Sequence, residues 1–283
     1  MRLADYPAQE PLSAFAQGYH DEVMRRGEGL PEGVEGAYGP DPYQGWLLYP
    51  AAAPDGRVLV FFHGGGWTNG YKEWMAFMAP AFTAAGVTFA TVGYRLAPEN
   101  LFPTAYEDCA AGLLAVRDVV AAHGGDPDRL FAGGHSAGGH HAALLATRRD
   151  WWEGRGLPRN PLRGCLPVSG VYRFGTDAGM RVRPRFLGPE GNGAEAAASP
   201  LLGRTDAVPF FIAHGDRDFP HLMTQAEEME AALRAEGTPV ERLVLADADH
   251  ARASTIAGEA DGPWVPRALA FMARWADARP GKS

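Results

Sequence analysis

The residues best suited to chemistry form a G-x-S-x-G pentapeptide, GHSAG at positions 134–138. An apolar run at 129–133 predicts a strand before it, and the Ala- and Leu-rich stretch 136–148 predicts a helix after it, so Ser136 falls on a sharp strand-to-helix turn. Small residues two positions before and after the serine let strand and helix approach closely while the hydroxyl stays exposed. The positive end of the helix also favours negative charge on a bound carbonyl oxygen. The pattern therefore predicts a serine nucleophile.

A second candidate is the sequence HGGGW at positions 63–67, which directly follows an apolar strand pattern ending at Phe62. Three consecutive glycines carry no Cβ atoms, so a substrate oxygen can approach their backbone N–H groups. These groups are candidate donors to an oxyanion. The alternative is a flexible turn, which the nucleophile pattern in the same chain disfavours.

These motifs must be positioned by a chain whose short β-rich runs alternate with longer helical patterns, which is typical of βαβ units and a mostly parallel sheet. Residues 1–44 are the least regular: a helix is predicted at 12–26, but many Gly and Pro residues argue against a regular element at 27–42. Residues 171–199 are interpreted as an excursion over the sheet that forms a small cap. Further strands are predicted at 45–50, 57–62, 87–93, 162–170, 209–213 and 240–245, and further helices at 73–85, 104–122, 222–236 and 266–278.

No repeat or linker divides the 283 residues, so we expect a single domain. The formal net charge is −8 and like charges form no long blocks, which argues against nucleic-acid binding. No apolar run approaches the ~18–20 residues that a membrane span needs, and the first residues lack the apolar stretch of a secretory signal, so we expect a cytoplasmic protein. Cys109 and Cys165 are expected as buried thiols rather than a disulfide.

Several motifs spread over most of the chain carry a family resemblance. They are HGGGW at 63–67, YRLAPENLFP at 94–103, GHSAGGH at 134–140, SGVY at 169–172 and GDRDFPHLMTQ at 215–225. With these motifs the chain resembles α/β-hydrolases of the branch that includes hormone-sensitive-lipase-type esterases and kynurenine formamidases. The resemblance implies an α/β-hydrolase fold with helices on both faces of the sheet, and serine hydrolysis without a cofactor. It also implies an oxyanion hole formed by the backbone N–H groups of Gly65, Gly66 and Ala137.

A serine nucleophile needs a base within hydrogen-bond reach, and the base needs a third group to orient it. In this fold the partners follow in the order serine, acid, histidine, at the ends of late strands. The strand pattern 209–213 leads to Asp218, and the pattern 240–245 leads to His250. These two residues are the expected acid and base for Ser136.

Two alternatives to this assignment lie in the same loop. Asp216 is two residues from Asp218, but family members place the acid three residues after the glycine, which here is Asp218. His221 is the other histidine after Asp218, but it lies too close to the same loop to come from a different strand end, which favours His250.

Four histidines close to the two motifs raise the question of a metal site. His63 precedes the glycine turn, and His135, His140 and His141 surround the serine. Neutral, packed imidazoles explain all four, and the sequence has no zinc-type ligand spacing. We therefore expect no metal.

A substrate pocket is expected near the two motifs, lined by Trp67, Tyr71, His135 and Phe174. The sequence does not separate this interpretation from ordinary core packing. Lipase-type esterases of this branch usually carry Asp before the nucleophile, whereas His135 is similar to the residue of kynurenine formamidases and related small-substrate esterases. The stretch after Tyr172 also leaves little material for a lipase lid, so we expect a compact pocket and a small acyl group.

The expected substrate is therefore a small-molecule ester or formamide, with N-formylkynurenine-type arylformamidase activity as the specific expectation. A general short-chain carboxylesterase is the alternative, and a noncatalytic ligand-binding homologue is the alternative from another class. The sequence leaves the oligomeric state open, with a homo-oligomer among the options.

Overall fold

Strand β3 (Gly56–Phe62) shows how both faces of the sheet become covered. Side chains alternate along a strand, so Val58 and Val60 join one hydrophobic cluster while Leu59 and Phe61 join the other. All four side chains are buried. A strand that is apolar on both faces needs helices on both faces. The computed structural model, which describes residues 3–175 and 183–277, shows this arrangement.

The sheet contains eight strands within the described residues, in the order β1-β2-β4-β3-β5-β6-β7-β8. The first two strands of this order pair antiparallel with each other, and β2 pairs antiparallel with β4. All other neighbours pair parallel, so the carboxyl ends of β3 and of β5 to β8 lie along one edge. Besides β3, the strands are β1 (Val34–Ala37), β2 (Gly45–Tyr49), β4 (Thr88–Val92), β5 (Gly125–His135), β6 (Leu162–Val168), β7 (Phe210–Gly215) and β8 (Val240–Leu245).

The helices pack on the sheet in two layers. Residues of α1, α2, α9 and α10 join one hydrophobic cluster, and residues of α3, α4, α5 and α8 join the other. The α-helices are α1 (Ala14–Gly27), α2 (Ala79–Thr83), α3 (Thr104–Val119), α4 (Ala137–Thr147), α5 (Asp150–Glu153), α6 (Arg183–Leu187), α7 (Ala194–Ala198), α8 (Pro220–Ala235), α9 (His250–Ile256) and α10 (Val265–Trp275), and short 3₁₀ helices occur at Leu3–Asp5, Lys72–Met78 and Val120–His123. The predicted α/β class, with a mostly parallel sheet between helices, is confirmed.

The prediction of an irregular segment over residues 1–44 is wrong in one respect, because β1 lies in the part where we expected no regular element. This four-residue strand is defined by its pairing with β2 rather than by an apolar pattern. Gly36 lies opposite Trp46, and a Cβ on Gly36 would approach the Trp46 ring to 2.1 Å. A glycine that weakened the sequence signal is therefore the residue that lets the strand pair.

Two short helices, α5 and α9, were also not predicted. The side chain of Asp249 caps α9 by accepting a hydrogen bond from the backbone N–H of Arg252. The long helix predicted at 73–85 is instead a 3₁₀ helix followed by α2, with Pro80 in the first turn of α2.

The described part of the predicted cap contains α6 and α7, while residues 176–182 lie outside the described residues. Phe186, Leu187 and Ala198 from these two helices are buried in a third hydrophobic cluster together with Trp67. Among the helices that the structure describes, none combines the length and apolarity needed to cross a membrane.

Candidate active site

Ser136 occupies a sharp turn between β5 and α4. Its φ of 54° and ψ of −116° are rare for a residue with a side chain, and its neighbours leave no room for other residue types. A Cβ on Gly134 would lie 2.3 Å from the backbone of Gly138, and a Cβ on Gly138 would lie 2.1 Å from the carbonyl oxygen of Phe62. The two glycines of the pentapeptide are therefore required by close backbone contacts around the serine.

The glycine turn after β3 lies against this serine. A Cβ on Gly64 would come within 3.3 Å of the Ser136 Cβ, which shows how closely the two segments approach. Gly65 has a φ of 114°, and a Cβ there would lie 2.0 Å from the Asn69 carbonyl oxygen. Gly66 also has a positive φ, but a Cβ there would meet nothing within 4 Å, so its surroundings are open.

The backbone N–H groups of Gly65, Gly66 and Ala137, the residues expected to form an oxyanion hole, have no protein acceptor among residues 3–175 and 183–277. The N–H of Ala137 is one of the unpaired groups of the first helical turn of α4. The Ser136 hydroxyl likewise makes no hydrogen bond with the described side chains, so it is free to meet a ligand.

Asp218 and His250 meet at the neighbouring ends of β7 and β8. His250 Nδ1 lies 2.8 Å from Asp218 Oδ1, and the Asp218 side chain is buried. Because a carboxylate only accepts, His250 carries its proton on Nδ1 and leaves the lone pair of Nε2 available.

The Asp218 carboxylate is held by two further donors. Ser169 Oγ donates to Oδ2 at 2.5 Å, and the backbone N–H of Phe219 donates to Oδ1 at 2.7 Å. Burial raises the pKa of Asp218. The hydrogen bond and charge of His250 lower it, as do the hydrogen bonds from Ser169 and Phe219, and together they outweigh burial, so the pKa lies below its ordinary value. Asp218 is therefore ionised at neutral pH.

The contact of Ser169 with Asp218 was not predicted from the sequence. Ser169 directly follows β6, the sheet neighbour of β7, and has a φ of 52°. A polar residue at the carboxyl end of the adjacent strand was the signal available in the SGVY motif.

His135, the residue before the serine, contacts the loop that carries His250. His135 Nε2 lies 3.0 Å from the His250 carbonyl oxygen, and the two imidazole rings are 4.6 Å apart. Since the carbonyl accepts, His135 is protonated on Nε2. Burial, with the nearby charge of His250, holds the pKa of His135 well below its ordinary value, so the ring stays neutral. This bond brings His250 next to the serine turn.

The structure separates the two candidate acids. The Asp216 carboxylate accepts hydrogen bonds from the backbone N–H groups of Asp247 (3.0 Å) and Ala248 (3.1 Å), so it braces the loop before α9. Asp218 is the acid that contacts His250. His221 stacks on the ring of Phe219, with ring centroids 5.9 Å apart.

Trp67 and Phe174, two of the expected pocket residues, are buried side by side with ring centroids 5.5 Å apart. Trp67 Nε1 donates to His140 Nδ1 at 3.1 Å, and His140 Nε2 donates to the Ala198 carbonyl oxygen at 2.6 Å. Burial lowers the pKa of His140 to about 4, so this ring is neutral and fully bonded. Within the described part of the chain, no group of three or more His, Cys, Asp or Glu side chains is placed to hold a metal ion.

Tyr71, another expected pocket residue, lies in a different aromatic group. Its ring contacts Tyr6 (4.9 Å), Trp74 (6.0 Å) and Tyr43 (6.5 Å). Within the described residues its ring has no contact with Trp67 or Phe174, so Tyr71 anchors the N-terminal segment instead.

Comparison with known proteins gives a match to one family model, described as alpha/beta hydrolase fold, over residues 59–254. The chain is similar to the isoprenylcysteine alpha-carbonyl methylesterase of Arabidopsis thaliana, with 27% identity over 75% of this chain and 55% of that protein. It is also similar to the kynurenine formamidase of Danio rerio, with 26% identity over 72% of this chain and 68% of that protein. The chain thus spans little more than half the length of the first of these relatives.

Solved structures show the same architecture. The apo form of Thermogutta terrifontis esterase 2 aligns with a TM-score of 0.72, covering 89% of this chain and 97% of that chain at 23% sequence identity. At that level of identity the likeness concerns the fold.

Proposed function

Because the chain belongs to the α/β-hydrolase fold family, we propose that it is a serine hydrolase that cleaves a small ester or aryl formamide. The observation that carries the proposal is the His250 to Asp218 contact of 2.8 Å, which His135 holds beside the Ser136 turn. We assign Ser136 as the nucleophile, His250 as the base and Asp218 as the acid that orients the base.

The reaction would proceed through an acyl-enzyme. Ser136 Oγ attacks the carbonyl carbon as its proton passes to His250 Nε2. The bond to the leaving oxygen or nitrogen then breaks, and His250 gives the proton to that atom. Water attacks the acyl-enzyme by the same two steps and restores the serine. Within the described residues of the free protein, the Ser136 hydroxyl makes no hydrogen bond to His250 Nε2, so we expect this bond to form when substrate is bound.

Negative charge on the carbonyl oxygen would be stabilised by the N–H groups of Gly65, Gly66 and Ala137. These groups have no competing acceptor among the described residues, so they need no rearrangement to bind the oxyanion. The positive end of α4 adds to the effect. Buried, ionised Asp218 then stabilises the imidazolium that His250 becomes after it takes the proton.

Two features support the aryl formamide as the specific substrate class. His135 occupies the position before the nucleophile, and the chain is similar to a kynurenine formamidase over 72% of its length. A short-chain ester is the second candidate, supported by the similarity to a methylesterase.

The test compares kcat/KM on N-formyl-L-kynurenine with kcat/KM on p-nitrophenyl acetate, using Ser136→Ala as the blank. We expect turnover of the formamide to exceed that of the ester, and both to fall by ~10³-fold or more in the variant. Turnover of the ester alone would indicate a carboxylesterase. If neither substrate were turned over, the result would indicate a binding protein. An unchanged melting temperature would show that the variant is folded, and full activity in it would refute the mechanism.

A further inference from the structure

Two half-exposed phenylalanines face each other at the surface beside the candidate site. Phe15 on α1 is 49% exposed and Phe219, which follows Asp218, is 44% exposed, while their ring centroids lie 6.2 Å apart. The described residues include few large apolar side chains with this exposure, and these two are aromatic and in contact. Exposed aromatic rings in contact with each other leave apolar surface open to a ligand.

This surface adjoins the proposed base. The ring centroid of Phe219 lies 4.8 Å from that of His250. On the same loop, the ring of His221 stacks on that of Phe219, with centroids 5.9 Å apart and an angle of 11° between the planes. We call Phe15, Phe219 and His221 the aromatic ledge. It joins α1, which precedes the sheet, to the loop after β7, which holds the acid.

The position of the ledge identifies the part of a substrate that it would contact. His250 must protonate the leaving atom, so this atom lies within hydrogen-bond reach of the imidazole. A group attached to the leaving atom therefore extends along the side of His250, whereas the acyl group lies on the opposite side of the carbonyl carbon. The ring of Phe219 lies 4.8 Å from the ring of His250, so the ledge is within reach of a group attached to the leaving atom.

We propose that the aromatic ledge is the binding subsite for a flat, uncharged aromatic leaving group, so the enzyme prefers aryl esters and aryl amides to alkyl ones. This inference rests on the proposed function and names the leaving-group class for the same site. Offset or edge-to-face contact with two phenyl rings is the chemistry that recognises an aromatic ring.

The character of His221 fits an uncharged ligand. Burial and the nearby charge of His250 lower the pKa of His221, so its ring is neutral at neutral pH. The three rings of the ledge thus carry no full charge at neutral pH.

The test measures kcat/KM on phenyl acetate and on ethyl acetate, which share the acyl group and differ in the leaving group. Comparing each variant with the wild type on the same substrate cancels the different reactivity of the two esters. We expect Phe15→Ala and Phe219→Ala each to lower the ratio of aryl to alkyl kcat/KM by ~10-fold, in line with the loss of one aromatic contact. Phe219→Tyr keeps a ring and should keep the ratio.

Val244→Ala provides the matched control, because it removes an apolar side chain that is 45% exposed on β8 and is not part of the ledge. It should leave the ratio unchanged. Ratios unchanged in both phenylalanine variants would overturn the ledge, while activity that depends on Ser136 would still support the proposed function. Wild-type protein without activity on either ester or on the formamide would instead reject the proposed function.

Discussion

The serine turn and the aromatic ledge lie beside the same histidine but are positioned in opposite ways. Around Ser136, glycines stand where a Cβ would come within 2.3 Å of backbone atoms. The ledge consists of half-exposed rings that contact one another through side chains. Around the serine, a substitution at a glycine would force the backbone to move. In the ledge, single side chains can be substituted without moving the backbone. Substitutions in the first should abolish turnover of every substrate, and substitutions in the second should change which substrate is preferred.

The largest expected effect separates the two acids of the loop after β7. Asp218→Asn should lower kcat by ~10³-fold or more, because an amide no longer fixes the proton on His250 Nδ1 or stabilises the imidazolium. Asp216→Asn, which changes a bond to the backbone of the loop before α9, should change kcat by less than ~5-fold. Steady-state kinetics on p-nitrophenyl acetate tests both, and equal losses would contradict the assignment.

The next effect concerns the backbone around the serine. Gly138→Ala should destabilise the protein by about 3 kcal/mol, because the new Cβ would lie 2.1 Å from the Phe62 carbonyl oxygen. Gly18→Ala is the matched control: it lies inside α1 with nothing within 4 Å of the new Cβ, and should stabilise by ~0.5–1 kcal/mol. Urea unfolding measures both, and a neutral Gly138→Ala would remove the distinction between the two regions.

Acid should weaken the region around the serine through buried neutral histidines. Burial lowers the pKa of His63 and of His140 from 6.5 to about 4. Between these values the unfolded chain binds protons that the folded chain does not, so stability is complete above pH 6.5 and falls as pH drops towards 4. At ~1.4 kcal/mol per pKa unit for each of the two rings, we expect a loss of roughly 6 kcal/mol across this window.

Thermal unfolding between pH 4 and 7 measures this loss. His140→Gln should show a shallower decline than the wild type, because it removes one of the buried rings that take up a proton on unfolding. A melting temperature independent of pH would contradict the neutral state of these histidines.

The smallest expected effect sharpens the role of Ser169. Ser169→Ala removes one hydrogen bond to the Asp218 carboxylate and should lower kcat/KM by ~10-fold. That bond helps to lower the pKa of Asp218, so its loss raises this pKa and the deficit should grow as pH falls. Parallel pH profiles of variant and wild type would show that Ser169 acts only in packing.

Local sequence patterns predicted the serine turn, the glycine turn and the strand ends that carry Asp218 and His250. These features depend on neighbouring residues and on the rule that parallel strands end along one edge. The family pattern favoured Asp218 over Asp216, but the contact that separates them depends on where the loop after β7 lies against the loop after β8. Residue types and spacing alone do not contain that information.

Contacts between distant parts of the chain were beyond reach for the same reason. The Phe15 to Phe219 contact joins α1 to a loop some two hundred positions later, and no periodicity links them. Strand β1 was missed because its partner, β2, defines it more than its own residues do. Tyr71 was expected in the pocket because the sequence alone does not distinguish an aromatic residue that lines a pocket from one that packs against the N-terminal segment.

Two hydrogen bonds through His140, one from Trp67 and one to Ala198, connect the glycine turn to the cap, so a movement of one would affect the other. Trp67 ends the glycine motif, His140 lies in α4, and Ala198 ends α7 in the cap. If α7 moves outward, His140 loses the carbonyl that sets its tautomer, and Trp67 loses a defined acceptor. A substrate that displaced α7 would therefore disturb the oxyanion donors next to Trp67. Size selection would then appear in the rate of acyl transfer as well as in binding.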